Sequence, residues 1–237
     1  QAARRPLRLM IRGRHVSLLA YCETEEYVGG VAATGTTPGV APLEPDAIAA
    51  DVRAARAEGD DVWVFLHWGR EFLRCPSPQE RDWALRFVAA GATLIVGTHS
   101  HVPRGWETVD GASIFYGLGN FVFPPLSLID GVTRSWDWVS QAGMFICGEL
   151  QGVEWEWRPD VCHVSSSGCP ERMTNSARAR WLARWQAQSR QFGSRYAAMY
   201  PRIQRCETVS YVGRRMLTMT WQERTYFLRR LLRRTRA

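Results

Sequence analysis

Lysine is absent from this chain of 237 residues: all 30 basic residues are arginine, a usage from which no function is read. Also missing is any run of about 18 uncharged apolar residues, which excludes a transmembrane helix within this stretch of sequence. The six cysteines (Cys22, Cys75, Cys147, Cys162, Cys169 and Cys206) include no CxxC pair, so the thiolate framework of a closed structural zinc site is lacking. Cys22 and Cys147 lie in apolar runs and are expected to be buried. Cys162 and Cys169 flank a Ser/Gly loop and could close a small disulfide in an oxidising compartment. Arg8, Arg12 and Arg14 interrupt every apolar stretch near the N-terminus, so no signal peptide is read there. There is no internal repeat and no recognised nucleic-acid motif.

What is present suits a packed globular core: 46% of residues are hydrophobic. Charge is unevenly placed. Residues 1–175 carry 15 Arg against 21 Asp and Glu, whereas 176–237 carry 15 Arg against only Glu207 and Glu223, giving net charges of −6 and +13. A division into a main unit, 1–175, and an arginine-rich helical tail, 176–237, is therefore expected.

Two apolar runs, Val62 to Leu66 and Thr93 to Val96, have the length and β-branched or aromatic content of strands. Between them, Ser77-Pro78-Gln79-Glu80 forms a capping box with proline at the first helical position; Ala84, Phe87 and Val88 share a face, and Gly91 ends the helix. Strand, helix, strand is the pattern of a parallel βαβ unit. Upstream, His15 to Tyr21 reads as a strand, 28–42 as a long Gly/Thr/Pro loop, and Pro45 as the start of a helix ending near Gly59. After Asp110-Gly111 the pattern changes to short strands, Ser113 to Tyr116, Phe121 to Phe123, Gly143 to Leu150 and Val153 to Trp157, expected to pair antiparallel. Val153, Trp155 and Trp157 should share a buried face. Beyond Pro170 the chain turns helical. Thr220 to Glu223 is a second capping box, opening a helix with Phe227, Leu228, Leu231 and Leu232 on one stripe.

Each strand of the βαβ unit ends in histidine: His67 after the first, His99 and His101 after the second. That edge of an α/β sheet is where ligands bind. If the segment stays extended, i and i+2 side chains face the same way and His99 and His101 can converge on one ion. Neutral imidazoles without thiolates suit zinc, manganese or iron. Gly69 and Gly97 nearby permit close backbone approach. Glu71 could hold a histidine from behind or make a surface ion pair; Asn120 could meet a ligand or satisfy a tight turn. Arg104 could meet an anion, the plainer alternative being an exposed side chain.

HWGREF, the SPQE helix start, GATLIVGTHSHV and IFYGLGNFVF, in this order, resemble the CapA family of bacterial capsule-synthesis proteins, associated with poly-γ-glutamate. The resemblance runs from about His15 to Pro170. It implies a calcineurin-like metallophosphatase fold, a layered α/β sandwich with a mixed sheet, here partial and followed by the helical tail. It also implies that His67 is the lone metal-binding histidine after a strand, and that His99 and His101 form the Gly-His-x-His type pair. Two departures stand out: His99-Ser100-His101 followed by Arg104 replaces the more usual His-Pro-His and glutamine, and no segment before His15 supplies the family's first-strand aspartate, its bridging acidic ligand or its Asn-His pair. About half of a di-metal site is expected, as in a fragment or truncated gene product.

Three functions compete on these grounds. The first is a phosphoesterase-type hydrolase using one or two divalent ions (Mn, Zn or Fe), with a phosphoester or anionic polymer as substrate. The second is a non-catalytic component of capsule polymer synthesis or export, with partners in that complex and, as the resemblance implies, a cell-envelope or extracytoplasmic location. The third, nucleic-acid binding, rests on charge alone. Residues 220–237 would suit an anionic membrane surface or plain packing on their own domain.

Overall fold

The computed structural model describes residues 2–24, 31–124, 126–127, 133–134 and 136–225, of which 126–127 and 133–134 are described by backbone alone. After a 3-10 turn at Ala2–Arg4, the elements in chain order are β1 (Leu7–Ile11), β2 (Arg14–Cys22), α1 (Pro45–Ala57), β3 (Asp61–His67), α2 (Pro78–Ala89), β4 (Ala92–Thr98), β5 (Trp106–Val109), β6 (Ala112–Phe115), β7 (Leu126–Ser127), β8 (Thr133–Arg134), β9 (Ala142–Gln151), β10 (Glu154–Val164), β11 (Pro170–Arg172), α3 (Asn175–Ser189) and α4 (Tyr196–Thr218). A six-stranded mixed sheet runs β1-β2-β3-β4-β6-β5, and a three-stranded sheet runs β11-β10-β9.

The centre is parallel, as the βαβ pattern requires: β2 pairs with β3, and β3 with β4. Period-two alternation then sends the side chains of β3 and β4 into two separate cores. Val62, Val64, Leu66 and Ile95 pack with Ile48, Val52, Ala84 and Phe87 of α1 and α2. Leu94 and Val96, with the partly buried Trp63 and Phe65, face Met144 and Val161 of the second sheet and Trp185 of α3. Helices thus cover one face and the small sheet with α3 the other, a layered α/β sandwich. Near Trp63 the two sheets are joined edge to face, with Trp155 at 5.3 Å and Trp157 at 5.0 Å between ring centroids. Val153 leaves that face: it lies beyond the Gln151-Gly152 turn and is 72% exposed.

The capping box opens α2 as its sequence dictates. Ser77 Oγ accepts from Glu80 N at 3.1 Å and Glu80 Oε2 accepts from Ser77 N at 2.6 Å. The second box, Thr220 with Glu223, forms likewise. The apolar stripe expected after it, Phe227 to Leu232, lies outside the described residues.

Several expectations need correction. β1 was not foreseen, because Arg8 interrupts the apolar run of this short edge strand; Arg12 and Gly13, at φ 50° and 78°, make the tight turn that folds it back on β2. Ser113 to Tyr116 does not begin an antiparallel series. β6 continues the main sheet parallel to β4, and its antiparallel partner is β5, from which the Asp110-Gly111 turn leads. Phe121 to Phe123 is a bent segment rather than a strand. Cys147 is exposed and Cys22 only half-buried, since on an edge-facing pleat the neighbours in an apolar run alternate in and out. Cys162 is buried, Cys169 is exposed, and both are free thiols.

The C-terminal helices are tied to the sandwich by specific bonds. Tyr196 Oη donates to Pro76 O at 2.5 Å, Arg74 forms a two-pronged pair with Glu207, and Arg214 Nε meets Asp137 at 2.8 Å. No described helix is long and apolar enough to cross a membrane.

Candidate metal site

The parallel register brings the C-terminal ends of β2, β3 and β4 to one edge, with Cys22 beside His67 and His67 beside Thr98. Gly97 makes the junction possible: a Cβ there would stand 2.2 Å from Tyr116 O and 2.4 Å from Trp68 Nε1. Gly69, at φ 81°, turns the chain away after His67 and donates its N–H to Glu23 Oε2 at 2.9 Å.

His67 and His99 come together with ring centroids 4.7 Å apart, and His99 and His101 stand 6.2 Å apart. The route differs from the extended segment expected. β4 stops at Thr98, and His99 and His101 both take positive φ, 82° and 54°, a conformation that is costly for residues with a Cβ and that concentrates at functional sites. The turn is held by Ser100, fully buried, whose O accepts from Phe72 N at 2.8 Å and whose Oγ donates to Val102 O at 2.8 Å.

Hydrogen bonds determine which ring nitrogens remain free. Thr98 Oγ1 donates its single proton to Leu66 O at 3.2 Å, so toward His67 Nδ1, 3.1 Å away, it acts as acceptor. His67 therefore carries its proton on Nδ1 and leaves Nε2 as a lone pair. At His101 the same logic runs through Asn120. Its Nδ2 donates to Ser140 O at 3.0 Å, which orients Oδ1 to accept from His101 Nδ1 at 2.9 Å. His101 likewise offers Nε2, which lies 3.9 Å from Glu71 Oε1. This is the arrangement by which metal-ligating histidines are oriented from behind. Asn120 and Glu71 thus both reach His101, by opposite nitrogens.

Burial lowers the pKa of His99 to about 4 from its ordinary 6.5, with further lowering by His67, His101 and Arg104; burial, then His101, also lowers that of His67. Both rings are neutral at pH 7, the form a metal requires. Since the folded pKa lies below the unfolded one, the unfolded chain binds protons first as pH falls. Stability of the metal-free chain is therefore expected to be complete above about pH 6.5 and to decline toward pH 4. Urea midpoints measured across that window should fall, and His99→Gln should flatten the decline.

Arg104 is buried, not exposed. It is 1% exposed, donating to Leu73 O at 3.0 Å and Cys75 O at 3.1 Å, and the anion it meets is the Glu80 carboxylate, so its guanidinium clamps the loop before α2 against that helix. Three participants escaped the sequence reading. Glu23 follows β2 at the same edge, its N–H bonded to His67 O at 2.9 Å; Thr98 fixes His67; Trp136 stacks on His101 at 5.6 Å. The position of Glu23 directly after a strand was the available signal; Trp136, remote in sequence, offered none. Among the described residues, no group of three or more His, Cys, Asp or Glu side chains stands close enough together to hold a metal ion. The three imidazoles form an open set.

The profile of the family described as bacterial capsule synthesis protein PGA_cap matches residues 1–125, an interval that contains all three histidines and Asn120. The chain is 43% identical over 94 residues to the PGA biosynthesis protein CapA of Bacillus subtilis (strain 168), covering 40% of this chain and 25% of that one. It is 37% identical over 117 residues to the capsule biosynthesis protein CapA of Bacillus anthracis, covering 48% and 28%. The chain thus spans about a quarter of the length of these curated relatives. With more than half of its residues matched by the profile, the chain belongs to the bacterial capsule synthesis protein PGA_cap family.

Proposed function

We propose that this chain forms part of a capsule polyglutamate biosynthesis protein of the cell envelope, in which His67, His99 and His101 hold a divalent metal (Mn, Zn or Fe) for phosphoester chemistry. The observation that carries the reading is the pair of partnered Nδ1 atoms, from which the tautomers are inferred. Thr98 and Asn120 each occupy an Nδ1 and leave Nε2 free on His67 and His101, while burial keeps His99 neutral.

The donor set fits such an ion in kind, because neutral imidazoles backed by hydroxyl and amide groups suit borderline metals. It falls short in spacing, since among the described residues no three such side chains stand close enough to hold an ion and the rings would have to close in on it. A bound divalent ion would supply Lewis acidity toward a phosphoryl oxygen and would acidify a bound water. The chain's own residues orient the imidazoles, screen His101 behind Phe72 and Trp136, and place Glu71 near its free nitrogen.

Phosphoester turnover by the 237-residue chain is expected to be absent or very slow, because no described carboxylate bridges toward a second ion. Bis-p-nitrophenyl phosphate hydrolysis, followed with and without chelator, checks this. Rapid, chelator-sensitive turnover by this chain would show that its three histidines suffice. A second reading, a non-catalytic role in polymer synthesis or export, is favoured by that spacing of the imidazoles; absence of both turnover and metal from a full-length relative would support it.

A further inference from the structure

A cleft bordered by Trp138 of the 136–140 segment is unaccounted for by the histidine site. It has a volume of about 300 Å³ and is lined by Trp138, Ala177, Arg180, Trp181 and Arg184. Trp138 is 48% exposed, unusual for so large an apolar side chain. It stands 5.5 Å from Trp181 between ring centroids, and the Arg184 guanidinium lies over both indoles, at 5.2 Å and 5.4 Å. Two indole faces hold a planar cation, which limits its rotation and leaves its in-plane N–H groups for another partner.

No carboxylate of the described residues answers these charges. Arg180 and Arg184 are exposed and make no ion pair; Asp137, beside Trp138, is already taken by Arg214 at 2.8 Å and by Ser140. Arg178, the next arginine along, is by contrast paired with Asp160. Arg180 and Arg184 are one helical turn apart on α3, so their guanidiniums can meet successive anionic groups on one strand of ligand.

We propose that this cleft binds a carboxylate-bearing polymer of the polyglutamate type, an inference that takes its polymer class from the capsule role proposed above. Arg180 and Arg184 take carboxylates and Trp138 with Trp181 packs the intervening methylenes. Through the same short segment, the cleft adjoins the histidines: Trp136 stacks on His101, Ser140 O accepts from Asn120, and Trp138 forms the cleft wall.

The test uses the 237-residue chain with a fluorescein-labelled poly-γ-glutamate oligomer, read by anisotropy in chelator and about 0.1 M salt, where long-range attraction is largely screened. Arg180→Gln with Arg184→Gln is expected to weaken binding at least 10-fold, and Trp138→Ala several-fold. Arg202→Gln with Arg205→Gln, exposed arginines of α4 that remove the same charge, should change it less than 2-fold. Equal loss in the two double variants would overturn the proposal, leaving diffuse charge attraction as the explanation. So would preferential competition by a single-stranded oligonucleotide of equal charge, which would make the cleft a nucleic-acid site, or no binding by the unsubstituted chain. Matching thermal midpoints show that the variants are folded. Because chelator is present, failure here leaves the metal reading standing, and a chain that binds polymer but no metal would have the converse meaning.

Discussion

Replacing His67, His99 or His101 by alanine is expected to lower the affinity of this chain for Zn²⁺ or Mn²⁺ by about 100-fold or more, as read by calorimetric titration. Each substitution removes one of three imidazoles from an already open set, so no redundant ligand replaces it. Asn120→Ala should act at one remove. It leaves all three rings in place but releases His101 Nδ1, and loss of such a supporting group costs about 10- to 100-fold in affinity. His163→Ala, on the exposed face of β10, should change nothing and controls for generic histidine binding. Unaltered affinity in Asn120→Ala would mean that His101 is oriented by its packing against Phe72 and Trp136 alone.

The largest effect on stability is expected from Arg104→Met. Both partners of the Arg104–Glu80 pair are inside the protein, at 0% and 5% side-chain exposure. Removing the arginine leaves the buried Glu80 carboxylate without its countercharge, held by the Ser77 N–H alone, and strands two backbone carbonyls, those of Leu73 and Cys75. Breaking one side of a buried pair costs about 3–5 kcal/mol, whereas an exposed pair contributes about 0–1 kcal/mol. Arg86→Met, which removes the exposed pairing with Asp46, is the internal comparison. The difference should appear as a large drop in urea midpoint for the first variant and almost none for the second. Adding Glu80→Gln to Arg104→Met should recover part of the loss, because the stranded charge goes with it.

How far the sequence disclosed this site depended on the range of the interactions involved. The βαβ unit was legible because its signals are local: hydrophobic runs of strand length, a capping box and a helix-ending glycine, all within Val62 to Val96. His67 and the His99/His101 pair were legible for the same reason, each following its strand directly. The conformation at the second strand's end was not. Alternation implies an extended HxH only while the strand continues, and here it ends at Thr98, with Ser100 buried by bonds to Val102 and Phe72. Arg104 was misread because burial of an arginine depends on Glu80 and on carbonyls from the loop before α2, groups some 24 to 31 residues away. Asn120 was read as an amide that could meet a ligand or satisfy a tight turn, and what its side chain meets is a partner within the chain. That partner, His101, follows from the loops after β4 and β6 being brought side by side, where Leu118 N bonds to Gly97 O at 3.2 Å.

The outer strands were hardest to read. β1 and β5 are short and at the sheet's edges, where one side of the ladder is in water; β1, though largely apolar, is mostly exposed and shows no alternation of buried and wet residues. By contrast β9 and β10 are long and joined by a Gln-Gly turn, and they pair as expected.

The claim on which the account turns is that Thr98 and Asn120 fix His67 and His101 as Nδ1–H tautomers, with Nε2 free to bind an ion. Long-range ¹H–¹⁵N correlation spectra of the histidine-labelled chain at neutral pH, recorded before and after addition of Zn²⁺, measure this directly. The account predicts protonated Nδ1 and bare Nε2 on both rings in the metal-free chain, with zinc shifting the Nε2 resonances of His67 and His101 and leaving His163 unmoved. Protons on Nε2 of His67 and His101, or Nε2 resonances indifferent to zinc, would contradict it.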